Sequence, residues 1–273
     1  MSFFGELLSY GFMIRALICG ILVSLCCSLL GVSLVLKRFS MIGDGLSHVG
    51  FGALAVAAAI GASPLWIAIP VVVLSSVLLL RITESSKWQG DSAIAVFSTA
   101  ALAIGVIIVS KSGTNNDLSS YMFGSILSVS RTEAIFSIIL SVLVIGLYVL
   151  FYPRLFAVTF DESFAAATGT NTGLYRLLLS VLTSLCVVLG MQLMGTLLIS
   201  SLIIFPALSA MRLFRTFRGV TVGAAVLSVL CFIGGIAVSF WLNFPTGATV
   251  VAVQLAALLL SVLFSRFHKK TAA

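Results

Sequence analysis

Apolar residues in this chain come in long unbroken runs rather than in stripes. Segments at 11–36, 45–62, 64–82, 92–110, 132–152, 174–192, 195–211, 219–242 and 246–266 each approach or exceed the roughly 20 residues that a membrane-crossing helix needs. The separators carry turn chemistry, as in "GASP" at 61–64, "KSGTNND" at 111–117 and "NFPTG" at 243–247. The pattern predicts nine crossings. Only glycines divide the sixth run from the seventh, in "VVLGMQLMGTLL", and the runs 45–62 and 64–82 are short enough for one to be re-entrant, which would leave eight.

Composition points the same way. The chain is 60% hydrophobic and 8% charged, whereas a soluble domain carries about 25% charged residues. The expected fold is therefore an all-α polytopic bundle, with residues 1–273 forming a single transmembrane domain. The N-terminal "MSFFGELLSYGFMIRAL" lacks a basic leader and a small-residue cleavage site, so the first run reads as a retained helix. A net charge of +7 would suggest nucleic acid in a soluble protein, but here the basic residues fall in alternate gaps. Lys37 and Arg38, Arg81 and Lys87, Arg154 and Arg176, Arg212, Arg215 and Arg218, and Arg266, Lys269 and Lys270 mark one side, with little beyond Lys111 and Arg131 on the other. Such an asymmetry marks the cytoplasmic side and places the C-terminus there. The charge is a topology signal, and no nucleic-acid partner is expected.

Several functions are excluded by what is missing. No glycine precedes a lysine anywhere, so there is no phosphate-binding loop of the G-x-x-x-x-G-K-[ST] kind, and H-E-x-x-H, G-x-S-x-G and zinc-finger spacings are absent. The chain is not expected to be an enzyme or to hold a permanent cofactor; energy for uphill transport has to come from a partner or an ion gradient. Cys19, Cys26, Cys27, Cys186 and Cys231 all lie within apolar runs and read as small buried hydrophobes, as Met191 and Met194 read as packing.

One stretch breaks the apolar pattern. In "IGDGLSHVGFGALA", residues 42–55, Asp44 and His48 are four apart. On a helix they share a face with Cβ atoms about 5–6 Å apart, so a carboxylate and an imidazole can converge on one divalent cation. An acid at membrane depth costs about 2.5–3.5 kcal/mol and by default marks a pathway or site. The competing reading makes Asp44 the N-cap of a helix starting there, with His48 one turn in near the interface. Gly52, Ala55 and Ala59 continue the same face, suiting close packing and a narrow path equally. A second feature is "YPRLFAVTFDESFAAATGTNTGLYR", 152–176, the longest polar interruption on the basic side. Within it Asp161 and Glu162 open a short predicted helix, three alanines extend it and Gly169 stops it, leaving Phe164 to the outside. It fits a docking element or an ordinary ordered loop.

Five stretches in order carry a family likeness: "GDGLSHVGFGALA" at 43–55, "LSSYMFGSILSVS" at 118–130, "FDESFAAATG" at 160–169, "GTLLISSLIIFPALSA" at 195–210 and "NFPTGATVV" at 243–251. The chain resembles the membrane permease of bacterial ABC importers for zinc, manganese or iron. The resemblance implies that Asp44 and His48 line a metal path, with the ion as transported substrate. It implies that Asp161, Glu162, Phe164, Ala165 and Gly169, within a cytoplasmic loop at 153–173, couple to a separate ATPase. Gly52, Pro206, Pro245 and Gly247 would shape the path. The implied assembly is a homodimeric permease in the bacterial plasma membrane, with two ATP-binding cassette ATPases and an extracellular or periplasmic metal-binding protein. One Asp–His pair per chain suggests a transient site, completed across the dimer. Alternatives are a permease for iron–siderophore or cobalamin cargo, whose bulk should not need such a pair, an ion-coupled secondary transporter with Asp44 as proton carrier, and an intramembrane enzyme, for which the ligand supply is thin.

Overall fold

The computed structural model describes residues 11–85, 90–112 and 130–270. Eleven helices follow in chain order among these residues: α1 Gly11–Leu36, α2 Ile42–Ala59, α3 Pro64–Ser85, α4 Gly90–Ser112, α5 Arg131–Leu150, α6 Tyr152–Phe160, α7 Glu162–Ala167, α8 Thr172–Met194, α9 Thr196–Leu213, α10 Phe217–Leu242 and α11 Thr246–Lys270. All but α6 and α7 are long and apolar enough to cross a membrane, which gives nine spans among the described residues. There are no strands among the described residues. The stretch 118–129 singled out above lies outside the described residues.

Nine crossings rather than eight also follows from helix direction. Cys19 and Cys26 of α1 face the carbonyls of Ala134 and Ser141 in α5, and both pairs are 115 residues apart. A constant offset means that α1 and α5 run the same way, so an odd number of crossings separates them. Three spans lie between among the described residues, and a re-entrant one would have reversed α5. In contrast α10 runs against α1: Ser228 donates to the Ser24 carbonyl at 3.0 Å, and a β-carbon at Gly20 would meet the Phe232 ring.

Local chemistry sets the ends. Ser130 caps α5 in a reciprocal capping box with Glu133, whose other oxygen accepts from Gln192 at 3.2 Å. Thr216 caps α10 and Asn171 caps α8. Between α8 and α9 a single residue turns the chain: Gly195 sits at φ 87°, ψ 161°, a region essentially restricted to glycine. This is the soft boundary of the sequence, and one residue suffices. Pro70 and Pro206 lie inside α3 and α9, where each removes a backbone donor.

Helices α1, α2 and α8 form the buried centre, and α3, α4, α5 and α11 form the outside. The outer helices expose Leu74, Ile107, Leu150 and Leu260, which in a spanning protein is the lipid-facing belt. The basic residues gather at one end. Lys37 follows α1, Arg176 opens α8 and both reach Glu162 of α7, while Phe217 at the start of α10 stacks on Tyr152, Phe156 and Phe160 of α6. The amphipathic α6 went unseen in the sequence, where it merged into the polar interruption. Its Phe156 and Phe160 form a half-exposed aromatic cluster with Phe217 of α10 at this basic end.

Candidate functional site

The first turn of α2 lies deeper and earlier than the hydropathy run suggested. The helix begins at Ile42, three residues ahead of the apolar run, and its N-cap is Met41, which makes no side-chain capping bond. Asp44 is therefore not the cap. The flanking glycines explain the placement, because a β-carbon at Gly43 would meet Ile203 of α9 and one at Gly45 would meet Ile94 of α4. Stripped of side chains on both sides of Asp44, the turn sinks between these two helices.

There the carboxylate has two partners. Its Oδ1 accepts from the Ser200 hydroxyl of α9 at 3.3 Å, and its Oδ2 lies 3.6 Å from His48 Nε2. The latter distance is too long for a good hydrogen bond. Two donors 3.6 Å apart would subtend about 115–120° at an ion roughly 2.1 Å from each, which suits tetrahedral coordination. The Asp44 side chain is 41% exposed and that of His48 22%, so both remain reachable. Among the described residues no lysine or arginine bridges to Asp44 and no third His, Cys, Asp or Glu completes a metal cluster.

Depth follows from Ser200. It lies four residues after Thr196 and 13 before Leu213, the two ends of α9, while Gly31 of α1 and Gly43 of α2 both meet Ile203 one turn further on. Asp44 is held at that level. Sequence reasoning missed Ser200 although it sits inside a recognised stretch, because helical serines commonly bond their own preceding carbonyls, as Ser200 also does to Thr196 at 3.3 Å.

The other predicted residues separate into distinct surroundings. Gly52 lies at a helix crossing, where a β-carbon would come 2.8 Å from the Ala101 carbonyl of α4. Pro206 is buried within α9, Pro245 is exposed in the turn before α11, and Gly247 is buried in the first turn of α11. None of these touches Asp44 through a hydrogen bond.

The short helix at the basic end forms as expected. Asp161 caps α7 by accepting from the Phe164 amide at 2.9 Å. The C-terminus closes with the amide of Thr170 donating to the Ala165 carbonyl and that of Gly169, at φ 83°, to the Ala166 carbonyl, the paired bonds of a Schellman motif. Ala165 is fully buried and Phe164 is 64% exposed, so one face grips the bundle and one aromatic ring projects away. Glu162 turns inward to Arg176 at 3.0 Å and Lys37 at 3.4 Å, partners that the sequence showed only as topology signals. These pairs border a cavity of about 370 Å³, lined also by Phe39, Thr83 and Phe160.

The profile of the ABC 3 transport family matches residues 9–265, nearly the whole chain. The chain belongs to that family. It is 32% identical over 264 residues to the manganese transport system membrane protein MntC of Halalkalibacterium halodurans, covering 96% of this chain and 90% of the relative. It is 29% identical over 252 residues to the high-affinity zinc uptake system membrane protein ZnuB of Haemophilus influenzae, covering 92% and 96%. Among solved structures, PsaBC from Streptococcus pneumoniae in complex with Fab superposes with a TM-score of 0.85 at 27% identity, covering 95% of this chain and 94% of that one. This ABC 3 protein is thus a multi-pass membrane subunit whose helical fold is that of the family.

Proposed function

We propose that this protein is the permease of an ATP-driven importer for a divalent transition metal ion (manganese, zinc or iron), and that Asp44 and His48 receive the ion on its way across. The observation carrying this reading is a carboxylate set between α9 and α4 whose partners are a hydroxyl and an imidazole rather than a fixed cation. A passing ion needs negative charge and a lone pair in place of its water shell, and a site with few ligands also lets it leave. The names of the relatives support metal as cargo.

The basic end is the cytoplasmic one in this reading, and it carries the C-terminus. Two copies pair so that a second Asp44 and His48 complete the ligand set. Each copy seats α7 in a separate ATP-binding cassette ATPase, with Phe164 as the projecting anchor and Asp161, Ala165 and Gly169 fixing the helix. A metal-binding protein outside the membrane delivers the ion. Gly52, Pro206, Pro245 and Gly247 let the helices around the path approach and bend.

Radiometal uptake by cells carrying the complete system, normalised to membrane-inserted permease, tests this. Asp44→Asn and His48→Ala are each expected to lower uptake at least tenfold with the protein still inserted. Normal uptake by Asp44→Asn would remove the metal-path role, and uptake that persists without ATP would point to an ion-coupled carrier.

A further inference from the structure

In the sequence the five cysteines are scattered, but the fold brings two of them into contact. Cys27 Sγ of α1 and Cys186 Sγ of α8 lie 3.3 Å apart, and both side chains are buried. Of the neighbouring thiols, Cys19 faces the Ala134 carbonyl, and Cys26 faces the Ser141 carbonyl of α5 while also lying within reach of Cys186. We propose that Cys27 and Cys186 are a thiol–disulfide pair that, on oxidation, cross-links α1 to α8 in the centre of the bundle.

The geometry requires little. A disulfide bond is about 2.05 Å long, so the sulfurs must approach by a little over 1 Å from their 3.3 Å separation. The oxidant is a hydroperoxide, and an apolar one suits a site closed to water. The Cys27 thiol attacks the peroxide oxygen, breaking the O–O bond and passing its proton to the departing alkoxide, which gives a sulfenic acid and the alcohol. The Cys186 thiol then attacks that sulfur, forming the S–S bond and giving its proton to the departing hydroxide, which leaves as water. The two thiols lose two electrons and two protons, and the peroxide O–O bond takes up both electrons.

Position gives the cross-link a consequence. Lys37 lies ten residues beyond Cys27, and Arg176 ten residues before Cys186, so both stand about 15 Å along their helices from the thiols. These are the two residues that hold Glu162 of α7. A covalent tie in mid-bundle fixes the two helices on which α7 is mounted, and we expect it to arrest movement between them.

The full-length chain, reconstituted in lipid and treated with cumene hydroperoxide, should lose two of its five thiols by maleimide mass-tagging under denaturing conditions. Peptide mapping should show a link between the segments holding Cys27 and Cys186, and a phosphine reductant should restore all five. Cys27→Ala and Cys186→Ala should each keep their four remaining thiols, whereas Cys231→Ala should lose two of four. Five intact thiols in the oxidised wild type, or a surviving cross-link in Cys27→Ala, would overturn the pair. In the complete system oxidation should lower metal uptake at least fivefold, reversibly, and leave Cys27→Ala unaffected; uptake unchanged despite the cross-link would overturn the arrest. That last arm rests on the metal-permease reading. The thiol count does not, so the two failures are distinguishable.

Discussion

Two half-buried carboxylates in this protein sit in opposite surroundings. Glu162 meets Arg176 at 3.0 Å and Lys37 at 3.4 Å, so its charge is answered by two fixed cations and serves to clamp α7 onto α1 and α8. Among the described residues Asp44 meets the Ser200 hydroxyl and His48, at 3.3 and 3.6 Å. Its charge is oriented but not neutralised. On the proposed reading, the contrast separates an acid that holds structure together from one kept available for a mobile cation, a separation that residue type alone does not make.

Giving Asp44 a fixed partner should erase the difference. Ser200→Arg would set a guanidinium beside the carboxylate, and uptake is expected to fall to background, a hundredfold or more, with Asp44 and His48 both intact. Size-exclusion and thermal melting of the variant would check that the fold survives; uptake near wild type would end the comparison.

The opposite change removes the clamp. Glu162→Gln leaves Lys37 and Arg176 without their acid, and because the glutamate is 37% exposed the loss should be modest, about 1 kcal/mol. Melting of the purified permease reads this directly, with Asp44→Asn as the counterpart expected to melt no lower than wild type. Equal destabilisation by the two variants would put both acids in the structural class.

Smaller effects sharpen the picture further. Ser200→Ala removes a neutral donor worth about 0.5–1.5 kcal/mol, so the apparent KM for metal should rise about two- to tenfold with the maximal rate nearly kept. A change confined to the maximal rate would place Ser200 in the moving parts instead. Raising salt from 0.05 to 0.5 M should lower the melting temperature of wild type slightly, through screening of the Glu162 pairs, and should do so less in Glu162→Gln.

How much of this was legible beforehand depends on what each feature requires. Nine spans, the basic end and the capped α7 helix were readable because each is local: a run of apolar residues, a set of lysines and arginines, an aspartate and a glycine at the right interval. The amphipathic α6 was hidden because Tyr152–Phe160 joins a membrane span directly and carries only one charged residue, Arg154. The Asp44–His48 pair was visible from its spacing, but its depth was not. That depth comes from Gly43 and Gly45 meeting Ile203 and Ile94, contacts between residues far apart in the chain. Ser200, the Lys37–Glu162–Arg176 clamp and the Cys27–Cys186 contact were invisible for the same reason.

The single-residue join at Gly195 bears on how the topology can be mapped. Reporter insertion works where a loop can swell without disturbing its ends, and here the α8–α9 connection is one buried glycine at positive φ. A tag placed there would split a helical hairpin and report a broken protein, whatever side of the membrane it faced. Reporters belong instead in the exposed turn at Asn243–Pro245, on the far side from Lys37 and Arg176, paired with the polar stretch around Asn171 on the near side.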